Sequence, residues 1–331
     1  MHINYKIPVA LAVLSLALVG CSTNKIIKAD PAKPSALPKL AQTKVLIPVA
    51  SHSLSGQKQQ DRLGLQIDVD QGVMFAASAQ GEVSAFRGKK QLWEKQVSKK
   101  HGLSAGVRAA EGAVVVANVK GQLMALDQMT GNKIWTAQLG GSVLAPSLIQ
   151  NGRVITIANN GTLYAHNLTT GQQMWAYSLP NVQFSLRGQA APITLDDRTV
   201  LIAGADAYVY AVDIVTGVPR MQRRVAINEG RSDIQRLNDL DGEPVIVNGR
   251  ILVTTSYQGQ VTAMDLVNQR VLWSEDASST QRPEVYDDKV FVTTSEGRIL
   301  AFDLMSGQKL WENEQLLNRQ LSNPVVMGSY M

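Results

Sequence analysis

Short apolar runs separated by turn residues recur along the chain, and the pattern repeats with a fixed register. Ala113 to Asn118 is a β-branched run, Gly121 supplies a turn, Gln122 to Asp127 alternates between two faces, and Thr130-Gly131 turns again into a segment ending at Trp135. Period-two segments bounded by glycine predict hairpin-linked strands. A further strand around Pro146 to Ile149 leads into the next copy, which makes four short strands per repeat. The frame Gly121/Ala125/Asp127/Gly131/Trp135 returns 40 residues later as Gly161/Ala165/Asn167/Gly171/Trp175. It occurs again at Gly81/Ala85/Trp93, Ala207/Ala211/Asp213/Gly217, Gly259/Ala263/Asp265/Trp273 and Gly297/Ala301/Asp303/Gly307/Trp311. Four strands in about 40 residues is the arithmetic of a propeller blade. The predicted fold is an all-β propeller of four-stranded blades, with six full repeats and part of a seventh.

Each recurrent residue has an architectural role to fill. The glycines supply positive φ at hairpins. The alanine allows close approach, assigned here to the blade's inner strand, and Trp93, Trp135, Trp175, Trp273 and Trp311 are large rings to bury between neighbouring blades. Asp127, Asp213, Asp265 and Asp303 read as turn-stabilising carboxylates. Three positions drift: Met221 replaces the tryptophan, Ala207 the first glycine and Gln269 the second, while Arg87-Gly88 is a shortened turn.

This G-x-[VLI]-x-A-x-[DN]-x-x-[TS]-G-x-x-x-W pattern resembles the quinoprotein-type propeller repeat over nearly all of Gly64 to Trp311. The resemblance raises a dehydrogenase using pyrroloquinoline quinone as the alternative function. Such enzymes typically carry a vicinal cysteine pair and a calcium site with a catalytic Asp, whereas this chain has a single cysteine. Gly102-Leu103-Ser104-Ala105-Gly106 matches G-x-S-x-G, but a nucleophile elbow lies between a strand and a helix, and the run that follows reads as a strand. His52, His101 and His166 are scattered without ligand spacing. The reading is therefore a non-enzymatic binding scaffold with no catalytic residue, metal or cofactor.

The N-terminus changes the picture of where the scaffold works. Lys6 precedes an uncharged apolar stretch from Ile7 to Gly20, well under the roughly 20 residues of a membrane span, and reads as a secretory signal. Leu18-Val19-Gly20-Cys21 resembles the lipobox of bacterial lipoproteins, which implies cleavage after residue 20 and acylation of Cys21, a firm anchor. Ser22, in place of the inner-membrane-retaining Asp, implies an outer-membrane destination facing the periplasm. Residues 21–60 form the expected tether, with Pro31, Pro34, Pro38 and five lysines between Ser22 and Lys44, and 61–331 the propeller. The net charge of +5 is partly concentrated in the tether and suits an anionic membrane surface. No aromatic-interleaved basic stripe supports nucleic-acid binding.

The repeat spacing then singles out two segments. From blade-ending residue to the proline opening the next outer segment, Trp135 to Pro146 spans 11 residues and Trp273 to Pro283 spans 10. Trp175 to Pro192 spans 17 and Met221 to Pro244 spans 23. Two long extensions thus occupy the same connection in consecutive blades, side by side on one end of the propeller. The first holds Phe184-Ser185-Leu186-Arg187-Gly188, the second Asp233, Arg236 and Leu237-Asn238-Asp239-Leu240-Asp241. Apolar side chains beside an arginine suit an interface anchor. They equally suit loops that pack on their own blades with Arg187 bracing Asp239 or Asp241.

Lipobox, lysine-rich tether, propeller and these two strings together resemble the BamB family of outer-membrane protein assembly lipoproteins. The resemblance implies binding to the periplasmic POTRA domains of BamA, contact with other subunits of the assembly machinery, and help to barrel proteins entering the outer membrane. It also implies a partner-binding role for Phe184, Leu186, Arg187, Asp239 and Asp241, with Phe184 departing from the leucine of the family. Unfolded barrel precursors are further candidate partners, through strand addition. The family form has eight blades, so the expectation is a propeller cut short in its seventh repeat at Pro324 to Met331.

Overall fold

The computed structural model describes residues 33–37, 50–54, 65–180, 190–204, 206–225, 240–257 and 259–327. The chain divides into two units, Met1–Lys33 and Pro34–Met331, and the described structure belongs, Lys33 apart, to the second. It contains six four-stranded antiparallel sheets, each built from four strands consecutive in sequence. These blades span residues 68–96, 108–138, 148–178, 193–224, 245–276 and 284–313, numbered 1 to 6 below.

The first strands of blades 1 to 4 touch one another in turn, as do those of blades 5 and 6. They are short, three or four residues each, and line the axis, while the fourth strands lie outermost with polar, exposed faces such as Lys133–Gln138. The segment after Pro146 is therefore an inner strand, Leu148–Gln150, rather than the outer one expected. An axial strand must be short because space narrows towards the centre.

Second strands of blades that lie between two others have both faces covered, which is why they read as continuous apolar runs. In Ala113–Ala117 all five residues are buried. Val114 and Val116 pack towards blade 1, and Ala113, Val115 and Ala117 towards blade 3. Adjacent blades share one core cluster each, from blades 1 and 2 through to blades 5 and 6.

The repeat's indole and glycine meet across blades. Trp93, Trp135, Trp175 and Trp273 each donate Nε1–H to a backbone carbonyl of the following blade, at Gln128, Leu168, Ile214 and Leu304, over 2.7 to 3.0 Å. Each of these carbonyls belongs to the residue after the turn Asp or Asn. The same rings lie flat on the next blade's hairpin glycine: a Cβ built on Gly131, Gly171, Gly217 or Gly307 would sit 2.6 to 2.7 Å from the indole. Two of the three drifted positions belong to this contact. Met221 ends blade 4, and Gln269, at φ 52°, holds the glycine's place in blade 5. Met221 packs on the cluster shared with blade 5. Loss of the ring removes the need for a side-chain-free seat, leaving only the left-handed φ to be met.

The recurrent alanine lies on the third strand, not the innermost one. It is the cross-strand partner of the tryptophan or its substitute in every blade, as in Ala85↔Trp93, Ala125↔Trp135, Ala211↔Met221 and Ala301↔Trp311. A methyl there leaves the indole room to swing across to the next blade. The register shift immediately after each alanine turns the strand.

The turn carboxylates do what their position suggests. Asp127 Oδ1 accepts from the Thr130 amide and hydroxyl, Asp213 from the Val215 and Thr216 amides, Asp265 from Val267 and Asn268, and Asp303 from Met305 and Ser306. The Asp127 and Asp303 carboxyls are held below the usual carboxylate range by the Thr130 and Ser306 hydroxyls. The Asp213 carboxyl is held lower by the Thr216 amide and by Arg220, and Asp265 by Arg250 and the Asn268 amide.

Gly171→Ala should therefore destabilise the protein more than Gly152→Ala. Both glycines have positive φ, 72° and 68°, but only Gly171 seats an indole, while Gly152 has open space around its Cβ position. The backbone term is about 1 kcal/mol in each, and overpacking adds about 1–3 kcal/mol at Gly171 alone. Parallel thermal melts of the two variants measure the difference.

Candidate functional site

Strand direction alternates within each blade, so every blade-to-blade connection falls at one end of the propeller. The two long extensions leave blades 3 and 4 at that end. Their exits are built like those of ordinary connections: the Leu179 amide donates to Gly161 O and the Val225 amide to Ala207 O, each at 2.9 Å, as Leu139 does to Gly121 O at 2.8 Å. Ala207 adopts φ 64° to present that carbonyl.

Both extensions are rooted in packed structure. Leu179, where the first begins, is buried in the core of blades 3 and 4. Ala190, where the first ends, shares the core of blades 4 and 5 with Val225 and Leu240, the two ends of the second. The juxtaposition deduced from spacing is thus realised at the roots. Phe184, Leu186, Arg187 and Asp239 lie outside the described residues, as does Cys21. Asp241 is described and half-buried directly after Leu240.

Residues that spacing alone did not single out support these roots. The Tyr210 hydroxyl, on the third strand of blade 4, donates to the Asp206 carboxylate and lies 3.4 Å from Pro180 O at the start of the first extension. Burial, with the Asp206 hydrogen bond and charge added, pushes the Tyr210 hydroxyl well above the usual phenol range, so it remains a donor. At the far end of the second extension, Gly242 is wedged beside the hydrogen bond from Thr255 Oγ1 to Gln281 O, 2.8 Å long. A Cβ on Gly242 would lie 2.2 Å from that hydroxyl and 2.5 Å from that carbonyl. Glu243 follows and reaches Arg108 of blade 2 at 3.4 Å and Arg282, before blade 6, at 4.0 Å. Arg108 also donates to Ser147 O at the entry to blade 3. Asp206, Glu243 and Arg108 fall outside the repeat frame, so the repeat does not mark them, and the partners of Glu243 and Arg108 are remote in sequence as well.

The remaining sequence candidates occupy structural positions. Ser104 is buried and donates to Val143 O at 2.6 Å. His166 is buried beside Trp135 and Tyr164, and burial lowers its pKa, which favours a neutral ring.

Fold and repeat together define a propeller of the quinoprotein-repeat class with two enlarged connections at one end. A family model described as "Outer membrane protein assembly factor BamB" matches residues 79–313, and the chain belongs to that family. Among its relatives, the BamB of Pseudomonas aeruginosa is 34% identical over 97% of this chain and 83% of its own length. That of Yersinia pestis is 30% identical over 78% of this chain and 68% of its own length. The crystal structure of BamB from Moraxella catarrhalis superposes with a TM-score of 0.75 at 37% identity, covering 81% of each chain. A quinohemoprotein alcohol dehydrogenase from Comamonas testosteroni, 13% identical with a TM-score of 0.59 over 78% of this chain, shares the fold alone.

Gly242→Ala should loosen the root of the second extension, because the new methyl must displace backbone. The expected cost is about 1–3 kcal/mol of stability, with faster amide exchange over 240–243. Gly249→Ala, at φ 64° with open space, is the control that carries backbone strain only. Hydrogen exchange on both variants checks this.

Proposed function

We propose that the chain is a non-enzymatic, lipid-anchored scaffold subunit of the outer-membrane β-barrel assembly machinery, facing the periplasm, and that its paired extensions bind the POTRA domains of BamA. The observation that carries the reading is the common rooting of the two extensions in one core cluster through Ala190, Val225 and Leu240, in a chain of the BamB family. Loops held at both ends by packed residues present side chains at lower entropic cost than free loops do. Phe184, Leu186, Arg187, Asp239 and Asp241 are the proposed contact residues, with Arg187 as the anchor. An arginine suits this task because its planar fork holds a carboxylate or several carbonyls at once. Cys21 is the proposed lipid attachment, and unfolded barrel precursors are proposed clients.

Arg187→Ala should weaken binding to the isolated POTRA region about thirtyfold, the equivalent of about 2 kcal/mol for a hot-spot arginine, with an unchanged melting temperature. A fall in melting temperature with affinity lost in proportion would assign Arg187 to bracing the loops. Retention of both would remove it from the interface. Cys21→Ala should leave the protein out of the membrane fraction, and sedimentation of the variant with the outer membrane would refute the anchor.

A further inference from the structure

Blades 4 and 5 are joined differently from the other neighbours. Blades 1 and 2 share hydrogen bonds from the Ala109 amide to Asp68 at 2.8 Å and from Gln128 to Asp70 at 2.7 Å. Between blades 2 and 3, Glu111 accepts from the Asn151 and Gly152 amides at 2.8 Å each. Gln150 and Asn151 of blade 3 donate to Asp196 O and Asp197 O of blade 4 at 2.7 Å each. Blade 6 receives the Trp273 indole at Leu304 O, 2.8 Å, and the hydroxyl of Ser279, which follows blade 5, at Thr293 O, 2.7 Å. Among the described residues no hydrogen bond joins a strand of blade 4 to one of blade 5. Their first strands, Ile193–Asp196 and Val245–Val247, also touch less closely than those of the four remaining pairs. Leu266 follows the turn Asp265 and so holds the acceptor's place, but Met221 brings it no N–H.

The same seam buries a hydroxyl without a partner. Thr254 shares the face of Leu252, which packs towards blade 4, while Ile251 and Val253 between them pack towards blade 6. It is 1% exposed, and its Oγ1 has no hydrogen-bond partner. The position is the one after the cross-strand partner of the recurrent alanine. Val116, Ile202 and Val292 fill it in blades 2, 4 and 6. Blade 3 has Thr156 there, whose hydroxyl meets that of Ser147 at 2.7 Å.

We propose that the seam between blades 4 and 5 is a joint built into the propeller, the boundary at which neighbouring blades part most readily. Opening any other seam breaks hydrogen bonds as well as apolar contacts. Opening this one breaks apolar contacts alone among the described residues, and it gives the Thr254 hydroxyl access to water, which offsets part of the cost. Loss of the indole is therefore one of three weaknesses gathered at a single boundary, beside the missing polar bridges and the unpaired hydroxyl. Val225, where the second extension leaves blade 4, and Leu240, where it enters blade 5, lie on either side of the joint, so its opening changes the distance that this extension spans.

Labelling with N-ethylmaleimide, followed at each cysteine by peptide mass on the folded full chain, tests the joint. Thr254→Cys and Thr156→Cys make the same change at matching positions, 1% and 0% exposed. The thiol of Thr254→Cys should react at least about tenfold faster, even though Thr156→Cys gives up the Ser147 bond. Equal rates would overturn the joint. The missing clamp can then be put back: Met221→Trp and Gln269→Gly, added together to Thr254→Cys, supply the indole and its bare seat and should slow labelling at least about tenfold. Met221→Trp without Gln269→Gly should not slow it, because the Gln269 Cβ occupies the seat. An unchanged rate in the folded triple variant would overturn the assignment. Thr254→Val probes the seam without added bulk. It should raise the melting temperature by about 2 °C or more, and a melting temperature no higher than the parent's would overturn the joint as well.

Discussion

The structure depends on one contact repeated from blade to blade, in which an indole crosses from the outer strand of one sheet, lies on a glycine of the next and donates its N–H to the neighbouring carbonyl. It joins sheets that share no strand pairing. A flat apolar ring buries a large area against the next sheet, and the N–H finds an acceptor that would otherwise be desolvated without a partner. The glycine is needed twice over, for its positive φ and for its missing Cβ. Blades 4 and 5 separate the two demands, since Gln269 retains the φ while Met221 replaces the ring. Methionine, flexible and apolar, fills the same interface without requiring an acceptor.

With stability carried by nearest-neighbour seams, the connections between blades are free to grow. An insertion after a fourth strand leaves the seams on either side intact, provided its first and last residues keep their places in the core. Leu179, Ala190, Val225 and Leu240 keep theirs. The same logic makes this end suited to carry binding residues: loops there tolerate change, and the rigid sheets beneath fix their roots.

The inner strands are too short to carry a large core, and polar contacts across the axis take over part of the task. Glu243 joins the entry of blade 5 to Arg108 of blade 2 and to Arg282 before blade 6. Glu243 retains little exposure, so its pairing satisfies a charge already drawn out of water. Tyr210 and Asp206 do similar work within blade 4, converting a buried hydroxyl and a carboxylate into support for Pro180. Each of these groups lies under or beside a root of the extensions.

Hydrophobic period, turn chemistry and the recurrent Gly, Ala, Asp and Trp were enough to predict four-stranded blades, six of them complete, and to locate both extensions from a count of residues. That worked because these features are local: a strand's alternation, a hairpin's φ and a turn's carboxylate all act within a few residues. Which strand lies at the axis was not legible, since inner and outer strands share the same alternation and only assembly decides which edge meets its neighbours. The pairing of Met221 with Gln269 was visible as two separate drifts, 48 positions apart, and became one contact only across a blade boundary. The expected tether gave no sign of its anchoring either. Ser35 sits in proline-bearing sequence and His52 just after the short apolar run Val45 to Ala50, both outside the repeat, and their partners Gly88 and Leu317 are 36 and 282 residues away, a proximity that tertiary structure alone creates.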